Sequence, residues 1–385
     1  MKKIVLFLAL LPLISFSQEK KVKNVILLIG DGMGLSQLST AYYFNDGVEP
    51  NFSRFPVVGL INTSSAKQKI TDSAAGATAF ATGKKSYNGA ISVDTTKNEI
   101  QTLIEIIEKK GIFSGLIATS SITHATPACF YSHALTRSMQ EEIATQLPQS
   151  GVDFFAGGGL KFFNKRADSL NYYRELIKKG FVLDSMDLDP ATKVNIRNKY
   201  GFLVADGGLK SKLEGRDDFL TDATNLGLKY LSQSKDGFFL MVEGSQIDWE
   251  GHALNAEGII AEVKDFDKTV GAALDFAKKD GETLVIVTAD HETGGFSLSP
   301  GIKDSTWQYN DIQPSFYAGA DGASYAAHTT TLIPVLAYGP NAQVFSGIYQ
   351  NSDIFHKLLE VTGWKTSTPI DGKAIIKGEK QLPVE

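Results

Sequence analysis

The chain has one cysteine, Cys129, among 385 residues. No internal disulfide can form even in an oxidising compartment, so stability has to come from the core, with bound metals as a further source. Concentrated positive charge is also missing. The formal net charge is −5, and no basic cluster also carries aromatics. That argues against nucleic acid as a partner, because a phosphate backbone needs a dense positive surface, and it leaves small molecules as the expected ligands. No segment approaches the roughly 20 apolar residues that cross a bilayer, so no membrane span is expected. Internal repeats, low-complexity tracts and proline-rich linkers are absent too. With 43% hydrophobic residues the chain can bury a sizeable core. Its length exceeds the usual size of one core, yet α/β folds often run this long, so one large α/β domain is expected.

The N-terminus reads differently from the rest. In "MKKIVLFLALLPLISFSQEKK", two lysines precede an apolar run from Ile4 to Ile14, followed by Ser15, Ser17 and a polar stretch. This is the pattern of a secretory signal peptide. Residues 1–17 are expected to be removed near Ser17–Gln18, leaving 18–385 as a single exported domain in the periplasm or outside the cell.

Apolar runs of strand length occur at Val25–Ile29, Leu116–Thr119, Phe238–Val242, Leu284–Thr288 and Leu332–Tyr338. Helical patterns lie between them at Asn98–Lys110, Asp217–Ser234 and Ala256–Lys279, with Gly111, Gly237 and Gly281 beyond their ends. Such alternation predicts a three-layer αβα sandwich around a large, mostly parallel central sheet. Two stretches break the rhythm, 168–216 and 303–325, and are expected to be surface excursions from the domain.

In such sheets ligands bind beyond the carboxyl ends of the strands. "NVILLIGDGMGLSQ" (24–37) has glycines there, but Gly30, Gly32 and Gly34 give G-x-G-x-G, with Leu35 where a dinucleotide loop needs its last glycine. Asp31 would also repel a pyrophosphate unless a cation intervened. A plainer role for Asp31 is to cap the next helix. In "TDSAAGATAFATG" (71–83), Ser73 is placed to sit at a helix N-terminus, which favours anions, although Asp72 or Ser73 can equally be an N-cap. "VEGSQIDWEGH" (242–252) places Asp248 and His252 four apart, on one face of a helical turn, with Glu243 just before them. That pair suits one metal ion, and also a simple surface salt bridge.

Context favours the metal. Of only six histidines, His124, His252, His291 and His328 all fall in strand-end loops, His291 beside Asp290 in "TADHETGGF". If Asp31, Glu243, Asp248 and Asp290 converge, the pocket requires divalent cations or raised carboxyl pKa values. Mixed histidine and aspartate ligands suit zinc, and an all-oxygen set suits magnesium. Several metals around a serine point to phosphoryl transfer.

The ordered motifs "DGMG", "TDSAAGATAFATG", "THATPACFYSHALTR", "VEGSQIDWEGH", "TADHETGGF" and "HTTTLIPVLAYGP" resemble those of alkaline phosphatases, from about Asn24 to the helix near His356. The resemblance implies a phosphate monoester hydrolase that releases inorganic phosphate, works through a phosphoserine at Ser73, and carries two zinc ions and one magnesium per subunit. It implies Asp248, His252 and His328 as ligands of the zinc that activates water. Asp31, Asp290 and His291 would hold the zinc that activates the serine, and Asp31, Thr126 and Glu243 the magnesium. Arg137 would clamp phosphate, its planar fork matching two phosphoryl oxygens. A homodimer is also implied. Two positions differ from the best-known bacterial pattern: His124 stands in place of an aspartate near magnesium, and Trp249 in place of a lysine that reaches phosphate through water. Compact marine and cold-adapted bacterial enzymes carry such changes, and this chain resembles them most.

Three alternatives follow. A related phosphodiesterase usually has a threonine nucleophile and lacks the Arg137-type clamp, and a sulfatase-like enzyme uses a modified cysteine or serine in a motif that is absent. An exported metal or phosphate binder without turnover is the alternative of another class.

Overall fold

The computed structural model describes residues 21–303, 306–317 and 326–364. The expected signal peptide therefore lies outside the described residues, as do 304–305 and 318–325 of the second expected excursion. In chain order the strands are β1 Asn24–Gly30, β2 Val57–Asn62, β3 Phe113–Ser121, β4 Phe154–Gly158, β5 Phe181–Asp184, β6 Lys199–Leu203 and β7 Phe238–Gly244. They continue with β8 Thr283–Thr288, β9 Glu292–Thr293, β10 Ser297–Lys303, β11 Thr306–Ser315, β12 His328–Thr329, β13 Ile333–Tyr338 and β14 Gly347–Gln350. Ten of them form one sheet in the order β14-β2-β13-β8-β1-β7-β3-β4-β6-β5, while β10–β11 and β9–β12 are separate pairs. All neighbours in the large sheet are parallel except β13, which runs against both β2 and β8.

The continuous apolar runs are explained by cover on both faces, since side chains alternate across a sheet. On β7, Phe238 meets Phe276 of helix Ala256–Asp280 at 5.8 Å, while its neighbour Phe239 stacks on Phe130 of helix Ala125–Tyr131 at 5.6 Å. Helices Phe219–Leu231 and Ala256–Asp280 pack together as one outer layer, and helices Ser73–Thr82, Leu103–Glu108, Ala125–Tyr131 and Asp353–Thr362 form the other. This is the three-layer sandwich. The odd-numbered face of β7 that carries Phe239 also carries Glu243, so Glu243 points toward the second layer, where Ser73 and Thr126 lie.

Some local expectations need correction. The helix expected over 98–110 spans only Leu103–Glu108, because Thr102 caps it in a reciprocal capping box with Glu105 and Asn98 is used in a turn around Asp94. The helix expected over 217–234 spans Phe219–Leu231. Helix Ala256–Asp280 ends as expected at Gly281, whose φ of 76° is the left-handed C-cap conformation. The stretch 168–216 is not wholly an excursion: β5 and β6 within it complete one edge of the central sheet. Within 303–325, β11 pairs with β10 apart from that sheet.

Candidate active site

Parallel strands deliver their carboxyl ends to one edge. Asp31 follows β1, Ser73 comes soon after β2, His124 and Thr126 follow β3, Glu243 lies at the end of β7, and Asp290 and His291 follow β8. β13 runs the other way, so the residues preceding it, His328 among them, reach the same edge. The reversed strand explains how a histidine before a strand joins residues that follow strands.

Two loops are shaped by glycine. Asp31 does not cap the next helix: Gly34 is the N-cap of Leu35–Tyr43, and no side chain bonds there. Gly32 holds φ +73°, and a Cβ on it would stand 2.7 Å from Thr293 Oγ1 and 2.8 Å from Asp248 Cα. Only glycine meets both demands. Ser73 is the first residue of helix Ser73–Thr82, and Asp72 caps that helix by accepting from the Ala75 N–H at 3.0 Å. The two readings of this stretch thus hold together. Gly76 lets the helix approach β8, since a Cβ there would be 2.9 Å from Asp290 Cβ.

Ser73 Oγ lies 3.2 Å from His291 Nε2 and 3.4 Å from Arg137 Nη1. Arg137 Nη1 also donates to Asp72 Oδ2 at 3.2 Å, and Arg137 Nη2 is 3.2 Å from His124 Nε2, so both arms of the fork are held. Burial and the Arg137 charge push the His124 imidazole down to about 3, which keeps it neutral beside the guanidinium. Trp249 meets the cluster through His124, edge to face at 5.8 Å.

Whether divalent cations fit is decided by the donor atoms. Three groups bring their ligand atoms within 4.8 Å of one another: Asp248, His252 and His328; Asp31, Asp290 and His291; Asp31, His124 and Glu243. Both oxygens of Asp31, Asp290 Oδ2, Glu243 Oε1 and Thr126 Oγ1 are buried without a hydrogen-bond partner. Orphaned carboxylate oxygens are costly unless a cation or a proton takes them. Burial first, and then neighbouring carboxylates, push the Asp31 carboxyl well above its usual range, Glu243 to about 7 and Asp290 to about 6. His252 and His328 donate their Nδ1–H to the carbonyls of Ala326 at 2.5 Å and Thr71 at 2.9 Å, leaving their Nε2 atoms facing each other at 3.1 Å. A nitrogen–nitrogen contact of that length is accommodated by a proton or by a metal cation shared between the rings, and such carbonyl contacts orient metal-bound imidazoles. The donor atoms suit divalent cations: two groups mix histidine nitrogen with carboxylate oxygen, and a third joins Asp31 and Glu243 with His124.

Every candidate residue read from the motifs therefore reaches this edge, Trp249 through its contact with His124. Three supporting residues, Thr293, Ser120 and Ser245, carry no signal in the motifs. Thr293 donates to Asp248 and lies 3.2 Å from His291 Nδ1; it stands two residues after His291, the spacing that returns a side chain to the same face of a strand. Ser120 and Ser245 donate to Glu243 Oε2 at 3.2 and 2.6 Å. Asp72, which its place before the helix marks as a cap, also pairs with Arg137.

The alkaline phosphatase family model matches residues 22–316. Alkaline phosphatase 3 of Bacillus subtilis is 37% identical, over 88% of this chain and 90% of its own length. The alkaline phosphatase of Escherichia coli is 31% identical, over 90% and 87%. Among solved structures, the alkaline phosphatase of the Antarctic bacterium TAB5 is 48% identical with a TM-score of 0.86, covering 91% of this chain and all of that one. A variant of that enzyme with a histidine replaced by aspartate has Mg bound in its M3 site.

Proposed function

The chain belongs to the alkaline phosphatase family, as a metal-dependent phosphate monoester hydrolase of the cold-adapted bacterial branch, and on that premise we propose that Ser73 is its nucleophile and Arg137 its phosphate clamp. The observation that carries the assignment is a serine hydroxyl at the N-terminus of a buried helix, 3.4 Å from a guanidinium and 3.2 Å from a histidine of a two-carboxylate cluster.

The helix N-terminus and the Arg137 fork receive the phosphoryl oxygens, and Asp72 and His124 keep that fork in place before substrate arrives. Ser73 Oγ bonds to phosphorus as the ester oxygen leaves with the alcohol; water then cleaves the phosphoserine, freeing Ser73 and inorganic phosphate. Bound cations supply the positive charge that lets the serine hydroxyl and water ionise and that offsets charge on the leaving oxygen. Two zinc ions suit the mixed nitrogen and oxygen groups, Asp248/His252/His328 and Asp31/Asp290/His291, and one magnesium suits Asp31, Glu243 and Thr126. His124 Nδ1, buried without a partner, stands at that third group and adds a nitrogen to its surroundings.

The same reading covers a single catalytic domain over 18–385, exported after removal of 1–17, and the dimer implied by the resemblance, which light scattering tests. No described helix is long and apolar enough to cross a membrane.

The test is hydrolysis of p-nitrophenyl phosphate at alkaline pH with zinc and magnesium present, beside bis-p-nitrophenyl phosphate and a sulfate ester. Preferential turnover of the monoester, lost in EDTA and regained with metal, is expected. Preference for the diester or the sulfate moves the chain to a related hydrolase class, and turnover of none leaves a binding protein.

A further inference from the structure

Two glycine runs outside the catalytic motifs, Gly157–Gly159 and Gly207–Gly208, cross at the active-site edge beyond β4 and β6. A Cβ on Gly158 would stand 1.8 Å from Gly207 O, so the backbones touch there. Gly159 N–H and Leu160 N–H both donate to Ala205 O, at 2.9 and 3.0 Å. The next residue along, Gly208, lies against the indole of Trp249: a Cβ on it would be 2.5 Å from Cη2 and 2.8 Å from Cζ3. Gly208 has no left-handed φ, so the constraint is contact with the ring rather than backbone conformation. The loop that carries it cannot easily retreat. Leu209 N–H donates to Thr119 O at 3.0 Å, Gln246 Nε2 donates to Leu209 O at 2.9 Å, and the buried Arg216 pairs with Glu262 and, at 3.0 Å, with Asp265. The indole therefore touches Gly208 at its Cη2–Cζ3 end and His124 edge to face, and His124 holds one arm of Arg137.

We propose that Gly208 is a positioning residue for the phosphate clamp: its bare backbone is the seat that lets Trp249 hold His124, and through it Arg137, in the binding geometry. The inference rests on Arg137 being the clamp. A methyl at position 208 would overlap the half-buried indole and force it to shift, and because the indole touches His124 and His124 touches Arg137, the shift is passed along that chain of contacts.

The experiment compares wild type, Gly208→Ala, Trp249→Phe and the double variant, all metal-loaded and with metal content measured. Gly208→Ala raises KM and the inhibition constant for phosphate on the order of tenfold, with kcat changed less, as misplacement by a fraction of an ångström to an ångström does. In the Trp249→Phe background, where the ring lacks the Cη2 end, the same glycine change has little further effect. A near-UV circular dichroism change on Gly208→Ala that disappears with Trp249→Phe reads the seat without turnover. Loss of phosphatase activity by the wild type would therefore fail the parent reading alone. Wild-type constants in Gly208→Ala overturn the proposal, as does an equal penalty in both backgrounds or a loss of metal that accounts for the effect. A single variant that fails to fold supports the seat if Trp249→Phe rescues it and overturns it if the double variant also fails.

Discussion

Stripping the metals should turn a pH-indifferent fold into a pH-sensitive one. In the metal-free chain the Glu243 carboxyl is pushed up to about 7 and that of Asp290 to about 6, and Asp31 is raised as well. Ordinary carboxyls ionise near 4, and a tenfold change in ionisation corresponds to about 1.4 kcal/mol. Because the folded values are raised, the stabilisation is complete below about pH 4 and is lost as pH rises through about 6 to 7. Forcing ionisation then costs on the order of 3 kcal/mol for each of Glu243 and Asp290, a large fraction of the roughly 5–15 kcal/mol that holds a domain folded. Cations remove that penalty because they accept the ionised form. The assay is thermal unfolding of EDTA-dialysed and metal-loaded protein between pH 5 and pH 9, followed by circular dichroism. The metal-free midpoint should fall on the order of 10 °C over that range, with the loaded protein changing far less. Parallel curves for the two forms would refute the claim that these oxygens are metal ligands.

Other perturbations separate the parts of the site. Arg137→Ala should raise KM and the phosphate inhibition constant on the order of 10- to 100-fold, the scale of charged hydrogen bonds, with a smaller loss in kcat; steady-state kinetics decide, and unchanged phosphate binding contradicts the clamp. Trp249→Lys should lower the phosphate inhibition constant by roughly a few-fold, because it adds positive charge beside the clamp; a constant that stays or rises counts against this. Cys129 is fully buried and its thiol is pushed up to about 12, chiefly by burial, so iodoacetamide should leave it unmodified in the native protein at pH 8 and label it after unfolding.

Much of the candidate site was legible in the sequence because its residues fall in short motifs at strand ends, where a rule of sheet topology places ligands, and because those motifs resemble a known family's, which alone pointed to Thr126 and Arg137. Helical spacing puts Asp248 and His252 on one face but suits a salt bridge as well as a metal, so the other strand-end motifs were needed to favour the metal, and Asp31 was set apart from a nucleotide loop by its charge. Features that depend on distant segments were not legible. The reversal of β13, which brings in His328, leaves no mark on a run of buried residues whose two faces are both covered. β5 and β6 are short strands in a polar stretch, β5 at the sheet edge and β6 between it and β4, so 168–216 reads as loop from its pattern. The start of a helix at Leu103 was decided by local hydrogen bonds of Thr102 and Asp94 competing with an apolar pattern that extended further. Gly208 belongs to the same class: nothing near it in sequence shows that an indole 41 residues later will rest on it.

The central claim, that Ser73 carries the phosphoryl group in turnover, is tested most directly by acid-quenching the metal-loaded enzyme during incubation with inorganic phosphate or substrate and mapping the peptides by mass spectrometry. The account predicts one phosphoryl group on the peptide containing Ser73, absent without metal, and absent in Ser73→Ala together with nearly all turnover. Phosphate on a different residue, or a Ser73→Ala variant that hydrolyses monoesters at the wild-type rate, would contradict it.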